Sequence, residues 1–304
     1  MSVPRIERIL AGVDLPSEDG PDPVLATAVQ LAKTLTARLH LVHAVEAGPL
    51  EPPLLPSLSR QMEQARAAVD AYLDAALPPH TPVASTAVEL GRAHRVLAER
   101  AEKVEADLLV LGPHRGFGSE VLGLGRTADR ILRTVDVPCW VVRAPLRLPL
   151  KRVTAAADFS PVSDRALEMA LFLARKLGTD TGAHGAPPPM VDVLHVEWPA
   201  TLEEDPELRE RELIPRVERK VSEALERTGI REGIATRAAV EGAVDPSRGI
   251  LVHARESGAE LVVLGTHGRG ALSRVLLGSV ASVVASRAPC PVLLVPPEDE
   301  FPLI

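Results

Sequence analysis

The residues with the clearest chemical potential lie near the C-terminus. Gly265 and Gly268 bracket "GTHG" at the end of the apolar run "LVVLG", and after nine further residues Gly278 and Ser279 open the stretch "SVASVVASR". Glycine at such points lets backbone approach a ligand with no Cβ in the way. A helix that starts at Gly278 and Ser279 presents free N–H groups and the positive end of its dipole, which together make an anion site. A phosphate chain suits that site: the Ser279 hydroxyl adds a donor, and Arg269 and Arg274 lie in the intervening loop where they could screen phosphate charge. Taken alone, the glycines also fit a capped loop with no ligand.

This stretch occurs twice. At an offset of 153 residues, Gly112 falls on Gly265, His114 on His267, Leu124 on Leu277, Gly125 on Gly278 and Pro138 on Pro291. Upstream, "RILAGVD" from Arg8 matches "RVTAAAD" from Arg152 at an offset of 144, which places Asp14 on Asp158. The chain is therefore a tandem duplication. Residues 1–147 and 148–304 form its two domains, joined near the proline-punctuated basic segment "RAPLRLPLKR". "TDTGAHGAPPPM", residues 179–190, reads as a surface loop inserted in the second copy.

Each copy alternates strand and helix. In the second, residues 152–157 form a strand, and Ser160 or Ser163 caps a helix that continues with apolar residues at helical spacing. "MVDVLHV", "IATRAAVEG", "AELVVLG" and "CPVLLVP" read as further strands, and "PELRERELIPRVERKVSEALERTG" as a charged helix containing Pro215. Continuous Val/Leu runs indicate strands covered on both faces, hence two open, parallel, five-stranded α/β sheets of Rossmann-like type with helices on both faces. Ligands in such sheets bind beyond the carboxyl ends of the strands, where strand order reverses.

Composition closes off other classes. Aromatics make up 2% and the formal charge is −7, so neither a base-stacking platform nor a phosphate-backbone binder is expected, and no nucleic-acid partner is assigned. Cys139 and Cys290 form no CxxC and read as small buried hydrophobes. No metal-ligand constellation stands out, and none of the nine histidines has HExxH spacing. A P-loop motif is missing, and "GLGRTA", Gly123 to Ala128, matches a dinucleotide fingerprint in the wrong place. With no signal-peptide pattern and no membrane-length apolar run, a cytoplasmic protein is the default expectation.

The segment "GTHGRGALSRVLLGSVASVVASRAPCPVLLVP" resembles the signature of the universal stress protein family, whose nucleotide-binding members carry G-x-x-G, nine residues, then G-[ST]. Gly265, Gly268, Gly278 and Ser279 meet that pattern in full, and "AADFSPVSDRAL" is similar to the family's opening. The resemblance implies an adenine-nucleotide alpha-hydrolase-like fold and ATP as ligand, with Mg2+. It gives Asp158 the adenine-ribose contact and makes His195 and Val196 the lining of the adenine pocket. His267, Arg269 and Val280 complete the implied binding set. No catalytic residue is assigned; a slow ATPase or a nucleotide-free dimerisation scaffold are the alternatives. The implied role is a nucleotide-responsive, stress-linked regulatory module acting on an unidentified protein partner. Pairing of the two terminal strands, "CWVVRAP" and "CPVLLVP", would join the domains within one chain, and a homodimer of such chains is a further expectation.

The first copy departs from the pattern. Arg115 stands for the second glycine, Arg126 for the serine, and Pro113 removes a backbone N–H that Thr266 keeps. Two readings follow: an arginine that occupies the phosphate position and keeps the pocket shut, or one that binds a different anion. Asp14 remains, and its simplest role is to cap the first helix region.

Overall fold

The computed structural model describes residues 4–15, 22–46, 55–112, 124–178, 187–197, 206–268 and 277–297. The first half runs β1 (Arg8–Gly12), α1 (Pro23–Leu35), β2 (Arg38–Val45), α2 (Leu55–Ala76), β3 (Val83–Leu90), α3 (Ala93–Lys103), β4 (Leu108–Leu111), α4 (Arg126–Ile131) and β5 (Cys139–Val141). The second repeats the series as β6 (Arg152–Ala156), α5 (Pro161–Leu177), β7 (Met190–Glu197), α6 (Pro206–Thr228), β8 (Ala235–Gly242), α7 (Pro246–Ser257), β9 (Leu261–Gly265), α8 (Ser279–Arg287) and β10 (Val292–Val295). The duplication read from the sequence is thus an element-by-element repeat.

Strand order is β3-β2-β1-β4-β5-β10-β9-β6-β7-β8 in one continuous sheet. All pairings are parallel but one: β5 and β10 meet antiparallel, with Trp140 opposite Leu293 and Cys139 opposite Leu294. Each half therefore closes the exposed edge of the other, as the apolar terminal strands lead one to expect. Apolar runs such as Leu108–Leu111 and Val292–Val295 are buried throughout their length because helices cover both faces of the sheet. One core packs α1, α2, α5 and α6 on one face and is continuous across both halves; the other lies under α3, α4, α7 and α8. The basic linker is part of the fold: Leu146 and Leu150 are buried, and the Leu150 N–H donates to the Leu177 carbonyl at 2.8 Å.

Local chemistry sets the helix starts. Asp22, Ser160 and Asp245 each accept a hydrogen bond from a first-turn N–H, and a proline follows each of them in the first turn of α1, α5 and α7. Of the two caps offered in the second copy, Ser160 is the one used; its Oγ accepts from the Ser163 N–H at 3.2 Å. Pro215 lies inside α6, where it removes one intrahelical donor without ending the helix. Both cysteines are buried and unpaired with each other, and burial pushes the Cys290 thiol up to about 12 and Cys139 further, which fits structural rather than reactive thiols.

Candidate functional site

Strand order reverses between β6 and β9 in the second half, since β6 leads outward to β7 while its other neighbour is β9. The predicted residues gather at the carboxyl ends of these two strands. Asp158 follows β6, and its Oδ1 accepts from the Ser160 N–H at 2.9 Å, fixing the carboxylate at the mouth of α5. Gly268, three residues beyond the end of β9, lies directly against it: a Cβ built on Gly268 would stand 2.8 Å from Asp158 Oδ2. At Gly265 a Cβ would meet Val162 Cγ1 at 2.7 Å. These two glycines are required by close approach, from Asp158 on one side and α5 on the other.

The two ends of the loop are tied together. The Gly278 N–H donates to the Thr266 carbonyl at 2.8 Å, and the Thr266 N–H donates to the Val295 carbonyl at 2.9 Å, so β9, β10 and the start of α8 form one rigid corner. Gly278 supplies no side-chain cap to α8, leaving Ser279 exposed and Val280 half-buried at an uncapped helix start. His267 shares a hydrogen bond of 2.8 Å between its Nδ1 and Thr266 Oγ1, while its buried Nε2 has no partner among the described residues. Arg269 and Arg274 lie outside the described residues.

His195 and Val196, paired by the sequence reading, point to opposite faces of β7. His195 Nδ1 meets the Ala157 carbonyl at 2.7 Å and so pins the strand end that carries Asp158. Val196 packs toward α7, where a Cβ on Gly249 would come within 2.7 Å of its Cγ1. Val196 therefore shares a face with α8, and His195 faces α5 and α6. Sequence reasoning passed over Phe159, which follows Asp158 at φ 64°, a left-handed conformation rare for an aromatic residue. Its ring centroid lies 4.3 Å from that of His195, and the Arg216 guanidinium sits over the ring at 4.0 Å from its centroid. This stack braces the turn that presents Asp158.

A second feature the sequence reading missed is a buried charge network on the α7 face of β7. Asp192 is wholly buried; it accepts from Arg237 Nε at 2.8 Å, with His253 Nε2 at 3.6 Å and Arg152 at 3.9 Å. His253 Nδ1 meets Glu241 at 2.5 Å. Burial alone would lower the His253 imidazole, but its two carboxylate neighbours outweigh it and raise its pKa. Burial likewise opposes ionisation of Asp192, and the His253 and Arg237 contacts overcome it, so its pKa is lowered. The available signal was an aspartate in the middle of the apolar strand "MVDVLHV".

In the first half the corresponding strand ends enclose a cleft of about 620 Å³, with Asp14 and Gly112 on its walls. His43 repeats the His195 contact, its Nδ1 lying 2.8 Å from the Val13 carbonyl. Asp14 does not cap α1; Asp22 does, accepting from the Val24 N–H at 2.9 Å. Pro113, His114 and Arg115 lie outside the described residues, as does the side chain of Arg126, the first residue of α4.

Two doubly wound α/β units joined at their edge strands, each with a cleft or glycine corner at the switch point, define a tandem α/β architecture. The model of the universal stress protein family matches residues 5–143 and again 149–296, so the chain belongs to that family. It is 30% identical to a universal stress protein of Mycolicibacterium smegmatis over 95% of this chain and 97% of the relative. A universal stress protein of Mycobacterium tuberculosis is 29% identical over 94% of this chain and 95% of its own length. The crystal structure of a universal stress protein from Archaeoglobus fulgidus matches at a TM-score of 0.64 and 20% identity, covering 95% of this chain and 98% of that one, a likeness of fold. No described helix is long and apolar enough to cross a membrane.

Proposed function

We propose that the second half binds ATP at the β6/β9 switch point and that occupancy of this site regulates a partner or the assembly of the protein. The observation that carries the reading is the contact of Gly268 with Asp158, beside the orphaned Nε2 of His267. A carboxylate, a bare backbone, a buried imidazole nitrogen seeking a partner and an uncapped helix start converge within one corner. That donor set fits a nucleotide: Asp158 accepts from ribose hydroxyls, the backbone at Gly265 and Gly268 lies along the phosphates, and the Ser279 and Val280 N–H groups with the Ser279 hydroxyl meet the terminal phosphate. Mg2+ would be carried on the phosphates of ATP, as small hard cations are in sites that hold few protein ligands. Bound ATP supplies phosphate charge and a polyphosphate tether; the chain's own residues bind and orient it.

Isothermal titration of nucleotide-stripped full-length protein with ATP and Mg2+ tests the reading. One site per chain, lost in Gly268→Arg, is expected. No binding, or binding untouched by that substitution, overturns it.

A further inference from the structure

The first-half cleft is charged in a way its counterpart is not. At the repeat offset of 153 residues, Arg92 stands for Asp245, His94 for Ser247 and Arg130 for Val283. All three line the cleft, Arg92 and His94 from the start of α3 and Arg130 from α4, both on the same face of the sheet. Three carboxylates also line it, and two are committed elsewhere. Asp22 caps α1 and accepts from the Asp14 N–H at 3.3 Å; Glu46 caps α3, accepting from the Ala93 N–H at 3.0 Å. Glu46 thus takes the place of the missing N-cap, since Arg92 makes no side-chain cap bond. Among the described residues neither Arg92 nor Arg130 has a carboxylate within ion-pair distance.

We propose that this cleft binds a phosphate monoester of a hydroxylated small molecule, with its phosphate held by Arg92, His94 and Arg130 and its hydroxyls turned toward Asp14. Two guanidinium forks and an imidazole match the several oxygens of a phosphate better than the two of a carboxylate. The floor is apolar, formed by Val13, Val42, Leu97, Val110 and Leu111, and about 620 Å³ is room for an organic body rather than a bare ion. Charge is divided across the sheet: Asp14 and Asp22 lie toward α1, the cations toward α3 and α4. The His94 pKa is lowered by burial and then by Arg130, Arg95 and Arg92, which together outweigh the opposing Glu46 carboxylate, so the guanidinium groups lie close to the imidazole. The site is distinct from the second-half corner and does not depend on ATP binding there.

The test is isothermal titration of the full chain with glucose 6-phosphate, adenosine 5′-monophosphate and inorganic phosphate, alongside the double variant Arg92→Glu/Arg130→Glu. Both arginines are exposed, so the variant should fold, and its thermal melt confirms that. At least one ester is expected to bind the natural protein, at least tenfold more tightly than inorganic phosphate, and to lose at least tenfold in the variant while ATP binding is unchanged. Arg92→Lys/Arg130→Lys, which keeps charge and loses the forks, should fall between. Ester binding that is absent, no tighter than inorganic phosphate, or unaffected by charge reversal overturns the assignment. Absence of ATP binding in the natural protein overturns the second-half reading and not this one, whereas loss of ATP binding together with the ester in the double variant overturns the assignment of the ester to a separate site.

Discussion

Where the first half places His40 beside Ser85, with Arg100 reaching Ser85 at 2.9 Å and Glu89 at 3.5 Å, the second places Asp192 beside Arg237, with His253 between Asp192 and Glu241. The positions correspond through the strand register: His40 pairs with Ser85 as Asp192 pairs with Arg237, and Glu89 and Glu241 occupy the same place. One backbone plan thus holds two networks of opposite logic, the first half-buried and the second buried at Asp192 and His253. Burial, and then Arg100, Arg8 and Arg38, lower the His40 pKa, so the neutral ring is favoured. His253 faces carboxylates, so its charged form is favoured. Duplicated backbones diverge most readily in charge when each new group is matched by a partner on the neighbouring element, because an unmatched buried charge costs several kcal/mol. The clefts differ otherwise: Asp245 caps α7 where Arg92 stands at the start of α3, and there Glu46 accepts from the Ala93 N–H while Arg92 has no carboxylate at ion-pair distance among the described residues.

The largest expected effect breaks the asymmetry of the two sites. Gly268→Arg puts a side chain against Asp158, the residue type found at Arg115 in the first copy, and should lower ATP affinity at least 100-fold by titration calorimetry, roughly 3 kcal/mol. Next, Asp192→Ala strands His253 and Arg237 and should destabilise the protein by about 3 kcal/mol in urea denaturation. His40→Ala removes a neutral contact and should cost about 1 kcal/mol, so equal losses would erase the distinction between the networks.

The pH dependence sharpens it. The folded pKa of His253 is raised above its ordinary 6.5, so its pairing stabilises the fold fully below that value and is lost as pH rises through the folded pKa. The folded pKa of His40 is lowered, so its contribution is present above 6.5 and is lost as pH falls through the folded value. His253→Gln should therefore cost more stability at about pH 5.5 than at about pH 8.5, and His40→Gln the reverse, each read from denaturation midpoints. The smallest effect is at the α3 start: Arg92→Asp restores the cap type of Asp245 and should add about 0.5–1 kcal/mol by thermal melting.

The duplication, the alternation of strands and helices, and the glycine corner were legible in the residues because each rests on local chemistry. Apolar runs buried on both faces, prolines after caps, and Gly265 to Ser279 at fixed spacing need no knowledge of distant parts of the chain. The β5–β10 join was legible too, from two apolar terminal strands with no other cover. His195 and Val196, adjacent at the end of β7, lie on opposite faces of the strand, which the pair of residue types does not show. The brace of Phe159 by Arg216 depends on residues 57 positions apart, and no local pattern announces it.

By itself, the sequence determined the repeat, the fold class and which backbone positions must stay bare, because periodicity and glycine act over a few residues. Only the tertiary structure decided which charges meet. Asp192 finds Arg237 and His253, Glu46 caps a helix 47 residues away, and two arginines and a histidine line one cleft because strand order and helix packing bring distant segments together. Electrostatic partnership is a property of distance in space, and the chain fixes that distance only once it has folded.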